Sequence, residues 1–259
     1  MTHSLKLMEI FAHPDDESLG TGGTLVKYGA EGIETYLVTA TRGERGWWGS
    51  AADYPGPESL GHTREAELRA AAQVLGLREV VFLDYVDGEL DAAPVQEVVA
   101  RLTAHIRRIR PDVVVTFDPD GVYGHPDHIA ISQFTTAAIV AAADPAIAKL
   151  YHIAWLEPTW AAYQSAFKKL TSTVDGVERH VVPWPDWTIT TKIDTRAHCD
   201  TVWRAISCHH SQMTAYVQLQ HLSLEHQAAI WGEQSFYRVF STVNGGRTRE
   251  TDLFEGIPQ

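Results

Sequence analysis

The sequence is poor in cysteine and in positive charge, and it has no long apolar run. Its 259 residues include two cysteines, Cys199 and Cys208, whose spacing matches no zinc-binding or redox motif. A reduced, cytoplasmic setting is therefore expected. Lysine and arginine total 21 against 33 aspartate and glutamate residues, which gives a formal net charge of −12. This balance argues against nucleic acid and anionic membranes as partners.

We expect no segment that would direct the chain to a membrane or out of the cell. Residues 1–17 do not combine a basic start, a long apolar run and a small-residue cleavage site, as a secretory signal would. No stretch approaches the ~20 apolar residues that span a bilayer. With 44% hydrophobic residues, the chain can bury a substantial core. We expect one domain over residues 1–259, with a core at about 1–157 and a C-terminal cap at about 158–259.

What the sequence does contain is an alternation of short apolar segments and amphipathic segments. The short segments are rich in β-branched and aromatic residues, which is typical of buried parallel strands. Strands are predicted at 5–12, 33–40, 79–84 and 112–117, and helices at 18–30, 61–76, 94–110 and 126–143. Repeated strand–helix units imply right-handed crossovers. We therefore predict an α/β fold, a Rossmann-like, open and mostly parallel sheet with helices on both faces and a C-terminal cap segment.

Two parts of the chain are harder to interpret. After residue 150 the alternation weakens, and the sequence predicts strands at 150–156 and 188–193 and a helix at 195–208. The segment 43–61, with five glycines and two prolines, is a long loop of the kind that is often functional. It follows a strand at the end where open parallel sheets bind ligands. In this loop, Trp47 and Trp48 either stack on a sugar ring or pin the loop, and the sequence leaves both possibilities open.

Thirteen histidines beside two cysteines indicate that any metal would be bound by imidazole and carboxylate groups rather than thiolates. The densest group of such side chains is the motif HPDDE at residues 13–17, directly after the first predicted strand. Three acids and an imidazole would repel and compete in a buried site unless a cation were present. The alternative is a solvated turn in which Asp15 or Asp16 caps the following helix.

A second motif, YGHPDH at residues 123–128, follows the fourth predicted strand. Pro126 suits the first turn of a helix, so His125 and His128 can share one face, with Cβ atoms about 5–6 Å apart. Each could instead be a hydrogen-bonded packing residue. The first and fourth strands of such a sheet lie side by side at its topological switch point, which would bring the two motifs together.

Two imidazoles and one carboxylate are an established ligand set for a catalytic zinc with one open position. Adjacent residues in a loop point in different directions, so Asp15 and Asp16 should differ in role. One should bind the metal and the other should face the bound water. The sequence does not say which.

The paired motifs AHPDDE and HPDH, about 110 residues apart on a Rossmann-like chain, resemble those of the LmbE/PIG-L superfamily of zinc-dependent N-deacetylases. The resemblance covers most of the chain and is strongest over residues 5–130. It implies a hydrolase that uses Zn²⁺, or another divalent transition metal, to remove an N-acyl group. Acetyl is the leading candidate for this group. The implied substrate is a small amino-sugar conjugate such as an N-acetylglucosaminide.

The resemblance also implies a role for each motif residue. His13, Asp16 and His128 would hold the metal, and Asp15 would be the general base that activates water. His125, in its charged form, would stabilise the tetrahedral oxyanion or protonate the leaving amine.

Further residues are implied to support this centre. Asp127 would hold the ring of His125 and raise its basicity, and Tyr123 would assist at the oxyanion. The residues expected to contact the substrate are Arg64, Asp87, Glu44 and His209. Glu44 belongs to the turn at residues 43–46, and His209 would approach from the C-terminal cap.

Other functions remain open at this stage. An amidase acting on a thiol conjugate or on another N-acyl glycoside would use the same metal site with a different pocket wall. A metal-binding protein without turnover is an alternative of another class, and it predicts that Asp15→Asn changes nothing. The chain could also form a homo-oligomer.

Overall fold

A seven-stranded sheet forms the centre of the structure, a computed structural model that describes residues 4–166, 170–246 and 248–258. Its strands are β1 (Lys6–Phe11), β2 (Glu34–Thr41), β3 (Glu79–Tyr85), β4 (Val113–Thr116), β5 (Lys149–Ile153), β8 (Thr191–Asp194) and β9 (Glu233–Ser241). A separate two-stranded sheet consists of β6 (Thr171–Val174) and β7 (Val177–His180). The order in the large sheet is β3-β2-β1-β4-β5-β9-β8.

Ten α-helices accompany the strands in the described part of the chain. They are α1 (Asp16–Gly20), α2 (Gly22–Ala30), α3 (Pro57–Leu75), α4 (Val95–Ile109), α5 (Gly121–Gly124), α6 (Pro126–Ala142), α7 (Glu157–Ala166), α8 (Cys199–Ile206), α9 (Met213–Tyr216) and α10 (Leu224–Trp231). α4 packs on α6, whereas α2 and α3 pack on α8. Among the described residues, no helix is both long and apolar enough to cross a bilayer.

The predicted open, mostly parallel sheet is confirmed. β1 pairs in parallel with β2 on one side and with β4 on the other, and β5 continues the parallel part beyond β4. The chain thus winds outward from β1 in both directions, and the carboxyl ends of β1 and β4 are neighbours. This is the topological switch point at which open α/β sheets bind ligands.

The C-terminal part of the chain adds to this sheet as well as covering it. β9 pairs antiparallel with β5 and with β8, so two strands beyond residue 157 complete one edge. The prediction at 188–193 is met by β8, but β9 was not predicted. Most of its residues are half-buried, and its sequence lacks the continuous apolar run that is typical of buried parallel strands.

The segment predicted as one helix at 18–30 forms two helices, α1 and α2, because the helical geometry is interrupted at Thr21. The Thr21 hydroxyl donates to Glu9 on β1 at 2.7 Å, and glycines flank the break on both sides. Glycine favours such departures from helical geometry. α3, in contrast, extends further than predicted, from Pro57 at its first turn to a left-handed cap at Gly76.

Candidate active site

Three polar side chains from the two motifs converge beyond the ends of β1 and β4. Nδ1 of His13 lies 3.1 Å from Nε2 of His128. Carboxylate oxygens of Asp16 lie 3.6 Å from the first of these atoms and 3.5 Å from the second. Two ligand atoms that bind zinc at about 2.0–2.1 Å can be at most about 4.2 Å apart. Each of the three distances is within this limit, and the two to Asp16 involve different oxygens, Oδ2 towards His13 and Oδ1 towards His128.

The opposite nitrogen of each imidazole has its own partner. Nε2 of His13 lies 3.1 Å from both Asp127 and Asp87, and Nδ1 of His128 lies 3.2 Å from the carbonyl oxygen of Gly121. The ring of Phe117 stacks on His128 at 3.9 Å. Such contacts fix the tautomer and orientation of metal-binding histidines. They leave Nδ1 of His13 and Nε2 of His128 for a ligand.

The charges around His13 call for a cation. Burial by itself would lower the pKa of His13, but Asp87, Asp127 and Asp16 together raise it well above its usual value. Burial would raise the pKa of Asp16, but His128 and His13 bring it down to about 2. The acids thus stay ionised around one positive charge, which a proton on His13 or a metal ion can supply.

Besides His13, Asp16 and His128, two further overlapping groups of side chains could bind a metal ion, and His13 belongs to both. One combines it with His125 and His128, and the other with Asp87 and Asp127. In the second group, the carboxylate of Asp127 already accepts backbone N–H bonds from Gly88 at 2.7 Å and from Leu90 at 3.1 Å. These bonds suit a carboxylate that supports His13 better than one that binds the ion directly.

Asp15 differs from its neighbour Asp16 in its backbone conformation and in the partners of its carboxylate. Its φ of 107° lies in the left-handed region, which non-glycine residues rarely adopt and which is often found strained at functional sites. The backbone N–H of Asp15 donates to Glu17 at 3.0 Å. Its Oδ2 accepts from Arg64 at 3.0 Å and from the hydroxyl of Tyr216. Burial raises the pKa of Asp15, although Arg64 opposes this.

His125 and Tyr123 form the opposite side of the site. His125 caps α6, and its Nδ1 accepts the backbone N–H of Asp127 at 3.2 Å. Its ring centre is 4.8 Å from that of His13 and 4.7 Å from that of His128. The ring of Tyr123 is 5.2 Å from His128. Burial, helped by the charge of His13, lowers the pKa of His125 to about 4.

These side chains lie in a cavity of about 830 Å³, within the usual range of about 300–1,000 Å³ for ligand sites. His13, Asp15, Asp16, Arg64, Asp87, Tyr123, His125 and His128 line it. Its other walls come from Phe117 after β4, from Trp155 after β5, from Trp48 in the long loop and from Tyr216 in α9. Residues at the switch point of the sheet and residues of the C-terminal part of the chain therefore line the same cavity.

A family model described as PIG-L, GlcNAc-PI de-N-acetylase, matches residues 8–139. The chain belongs to the PIG-L family. The predicted resemblance is thus confirmed. A deacetylase of 1D-myo-inositol 2-acetamido-2-deoxy-alpha-D-glucopyranoside from Rhodococcus jostii is 36% identical to this PIG-L chain. The match covers 97% of this chain and 98% of that relative.

Solved structures share the fold at lower identity. The N,N'-diacetylchitobiose deacetylase from Pyrococcus horikoshii has a TM-score of 0.64 at 22% identity, over 90% of this chain and 83% of that one. The 4-carboxy-2-hydroxymuconate hydratase GalB from Pseudomonas putida has a TM-score of 0.67 at 20% identity, over 93% and 99%. A deacetylase and a hydratase thus share this fold, so the fold alone does not determine the reaction of this PIG-L chain.

The predicted role of Asp127 needs correction. The carboxylate of Asp127 contacts His13 and two backbone N–H groups rather than the ring of His125. The reason is that the backbone of Asp127, at the start of α6, already occupies Nδ1 of His125. The resemblance implies a charged His125, whereas burial lowers the pKa of this imidazole to about 4, which favours the neutral ring near pH 7.

The four predicted substrate-binding residues of this PIG-L chain divide into two pairs. Arg64 and Asp87 line the cavity, but each already bonds to the site, Arg64 to Asp15 and Asp87 to His13. Among the described residues, Glu44 and His209 are not part of the cavity wall. Glu44 accepts the backbone N–H of Asp87 at 2.8 Å.

His209 requires the clearer correction. It is fully buried, and its Nε2 lies 3.2 Å from a carboxylate oxygen of Glu17. This contact makes it a support of the loop that carries Asp15 rather than a contact for the substrate. Tyr216 and Phe117 were not predicted as site residues. Neither belongs to a chemical motif, and only the fold brings them to the PIG-L site.

Proposed function

We propose that the chain is a zinc-dependent hydrolase that removes the N-acetyl group from a small N-acetylglucosaminide. The observation that carries this proposal is the convergence of His13, Asp16 and His128 beside a separately held Asp15 in one cavity. The substrate class is supported by the Rhodococcus jostii relative, which is a deacetylase of an acetamido-glucopyranoside of inositol.

The metal would be held by Nδ1 of His13, Nε2 of His128 and the carboxylate of Asp16. Nitrogen and carboxylate donors of this kind suit zinc, and iron or cobalt would accept them as well. When bound, such a cation supplies Lewis-acid polarisation of an amide carbonyl and lowers the pKa of a water molecule. Asp127 and Asp87 would keep His13 in the orientation that its ligand atom needs.

Asp15 is the general base in this proposal. Arg64 and Tyr216 both bond to its Oδ2, so we assign the proton transfer to Oδ1. Asp15 takes one proton from the attacking water as the C–O bond forms. It then gives that proton to the departing nitrogen as the C–N bond breaks, which yields acetic acid and the free amine. Near neutral pH the acid passes its proton to the amine, so the products are acetate and the ammonium ion. A positioned group of this type contributes typically ~10²–10⁴-fold to the rate.

His125 is assigned to the carbonyl oxygen of the substrate amide. Its Nδ1 accepts a backbone N–H, so the proton of the neutral ring must be on Nε2. Nε2–H can therefore donate a hydrogen bond to the oxygen on which negative charge develops. Tyr123, which also lines the cavity, is assigned to the same oxygen.

The test is amine release from a panel of N-acetylglucosamine conjugates, measured with and without a chelator. We expect release from at least one conjugate, loss of release with the chelator and recovery when zinc is restored. A metal-loaded protein that releases no amine from any member of the panel would disprove the deacetylase function. We also infer that the reaction takes place in the cytoplasm, which the free thiols of Cys199 and Cys208 support.

A further inference from the structure

The two adjacent tryptophans of the long loop have different surroundings. Trp47 packs within the loop itself, where its indole N–H donates to the carbonyl of Ser50 at 2.8 Å and its ring lies 6.1 Å from Tyr54. A Cβ added at Gly49 would come within 2.4 Å of the Trp47 ring, which shows how closely the loop wraps around it. Trp48 is 59% exposed and lines the catalytic cavity.

The loop is anchored to the active site next to Trp48. Gly46, two residues before it, has a carbonyl that accepts from the Gln212 side chain at 2.9 Å. The carbonyl of Gly43 accepts from Arg64 at 2.8 Å, and the backbone N–H of Arg45 donates to Asp87 at 2.9 Å. Arg64 and Asp87 also bond to Asp15 and His13, respectively. The backbone that precedes Trp48 is thus tied to the same side chains that orient the catalytic groups.

Exposure places Trp48 at the open end of the cavity. His13, Asp15 and His128 at the metal end are each at most 8% exposed, in contrast to Trp48. An amide that reaches the metal end must direct the rest of the molecule towards the open end. Single exposed apolar residues are common on protein surfaces. An exposed indole on a tethered loop at the edge of a catalytic cavity, however, is ready to bury its face against a ligand without ordering a mobile segment.

We propose that Trp48 is a specificity-determining residue, which packs its indole face on a ring-shaped aglycone beyond the N-acetylated sugar. Trp47 is the anchor that holds the loop in place for this contact. The partner chemistry is a saturated ring, a second sugar or a cyclitol, because its C–H groups present a flat, weakly polar face to an aromatic ring. This inference rests on the proposed function, and it names the part of the substrate that the metal end does not recognise.

The test compares two N-acetylglucosaminides in the zinc-loaded protein, one with a methyl aglycone and one with inositol. For Trp48→Ala, we expect kcat/KM to fall about tenfold on the inositol conjugate, mainly through KM, since aromatic contacts are worth about one factor of ten. On the methyl glycoside the change should stay below about twofold. Trp48→Phe should recover most of the loss, because it keeps an aromatic face.

Trp187→Ala is the matched control, since Trp187 is 73% exposed and is not among the described residues that line the cavity. It should leave kcat/KM unchanged on both conjugates. An equal loss on both conjugates in Trp48→Ala would show a structural role and overturn the inference, as would no loss on either. If the unmodified protein hydrolyses neither conjugate nor any other on the panel, it is the proposed function that fails.

Discussion

Asp15 and Asp16 are neighbours in the chain, but their carboxylates have different partners. The sequence predicts that they differ in role and cannot assign the roles, because the assignment depends on the left-handed backbone of Asp15. The carboxylate of Asp15 is held by Arg64, 49 positions away, and by Tyr216, 201 positions away. The two motifs and their meeting could thus be predicted from local patterns. The direction of each side chain could not, since distant contacts decide it.

Asp15→Asn should separate metal binding from catalysis. The amide keeps nearly the same shape and leaves His13, Asp16 and His128 in place, so we expect zinc to bind in the same stoichiometry. It cannot accept a proton from water, so kcat should fall by ~10²–10⁴-fold. Metal content and amine release, measured on one preparation, check this. Unchanged turnover would show that Asp15 is not the general base.

Asp127→Asn should weaken metal binding although Asp127 is not assigned to the ion. Its carboxylate lies 3.1 Å from Nε2 of His13, and loss of such a partner typically costs about 10–100-fold in metal affinity. Competition with a chromophoric chelator measures the effect. Asp91→Asn, at the exposed acid that directly follows Leu90, is the control and should leave the affinity unchanged. Equal affinities for the two variants would show that Asp127 does not support His13.

The strands of the parallel half were predicted within a few residues, whereas β6, β7 and β9 were not. Parallel strands buried on both faces leave a continuous apolar run in the sequence, which is a strong local signal. β9 is largely half-buried, and it is placed by antiparallel pairing with β5 and β8, more than 35 residues away in the chain. A strand defined by such distant partners carries little information in its own residues.

His152 on β5 should make the stability of this strand depend on pH. Burial lowers its pKa to about 4, and neither ring nitrogen has a hydrogen-bond partner among the described residues. Between pH 6.5 and 4 the unfolded chain binds the proton that the folded chain excludes, so stability falls as the pH falls. From pH 7 to pH 5 the loss is about 2 kcal/mol of unfolding free energy.

Urea unfolding at both pH values measures this dependence. His152→Leu should remove about that much of the difference between the two pH values, because leucine has no proton to bind. His62→Gln, at an exposed histidine, should leave the difference as it is in the unmodified protein. If His152→Leu retains the whole difference, the pH dependence arises elsewhere.

For the whole molecule, zinc should act as a stabilising ligand. An ion that binds only the folded chain at 100 times its Kd adds ~2.7 kcal/mol, which for a chain of this size corresponds to a rise in Tm of ~5–10 °C. Thermal unfolding with zinc and with chelator checks this. His128→Ala, which lacks one proposed ligand, should show little of the rise. An equal rise in both proteins would indicate that zinc binds outside the proposed site.

The dependence of Asp15 on Tyr216 has a consequence for how the protein is made. The motif that carries Asp15 leaves the ribosome near the start of translation, but α9 follows it about 200 residues later. β9, which closes the gap between β5 and β8, comes later still. A nascent chain that has folded only its parallel strands therefore holds an unfinished centre. We expect hydrolysis to begin only after nearly the whole polypeptide has been released, so that incomplete chains stay inactive.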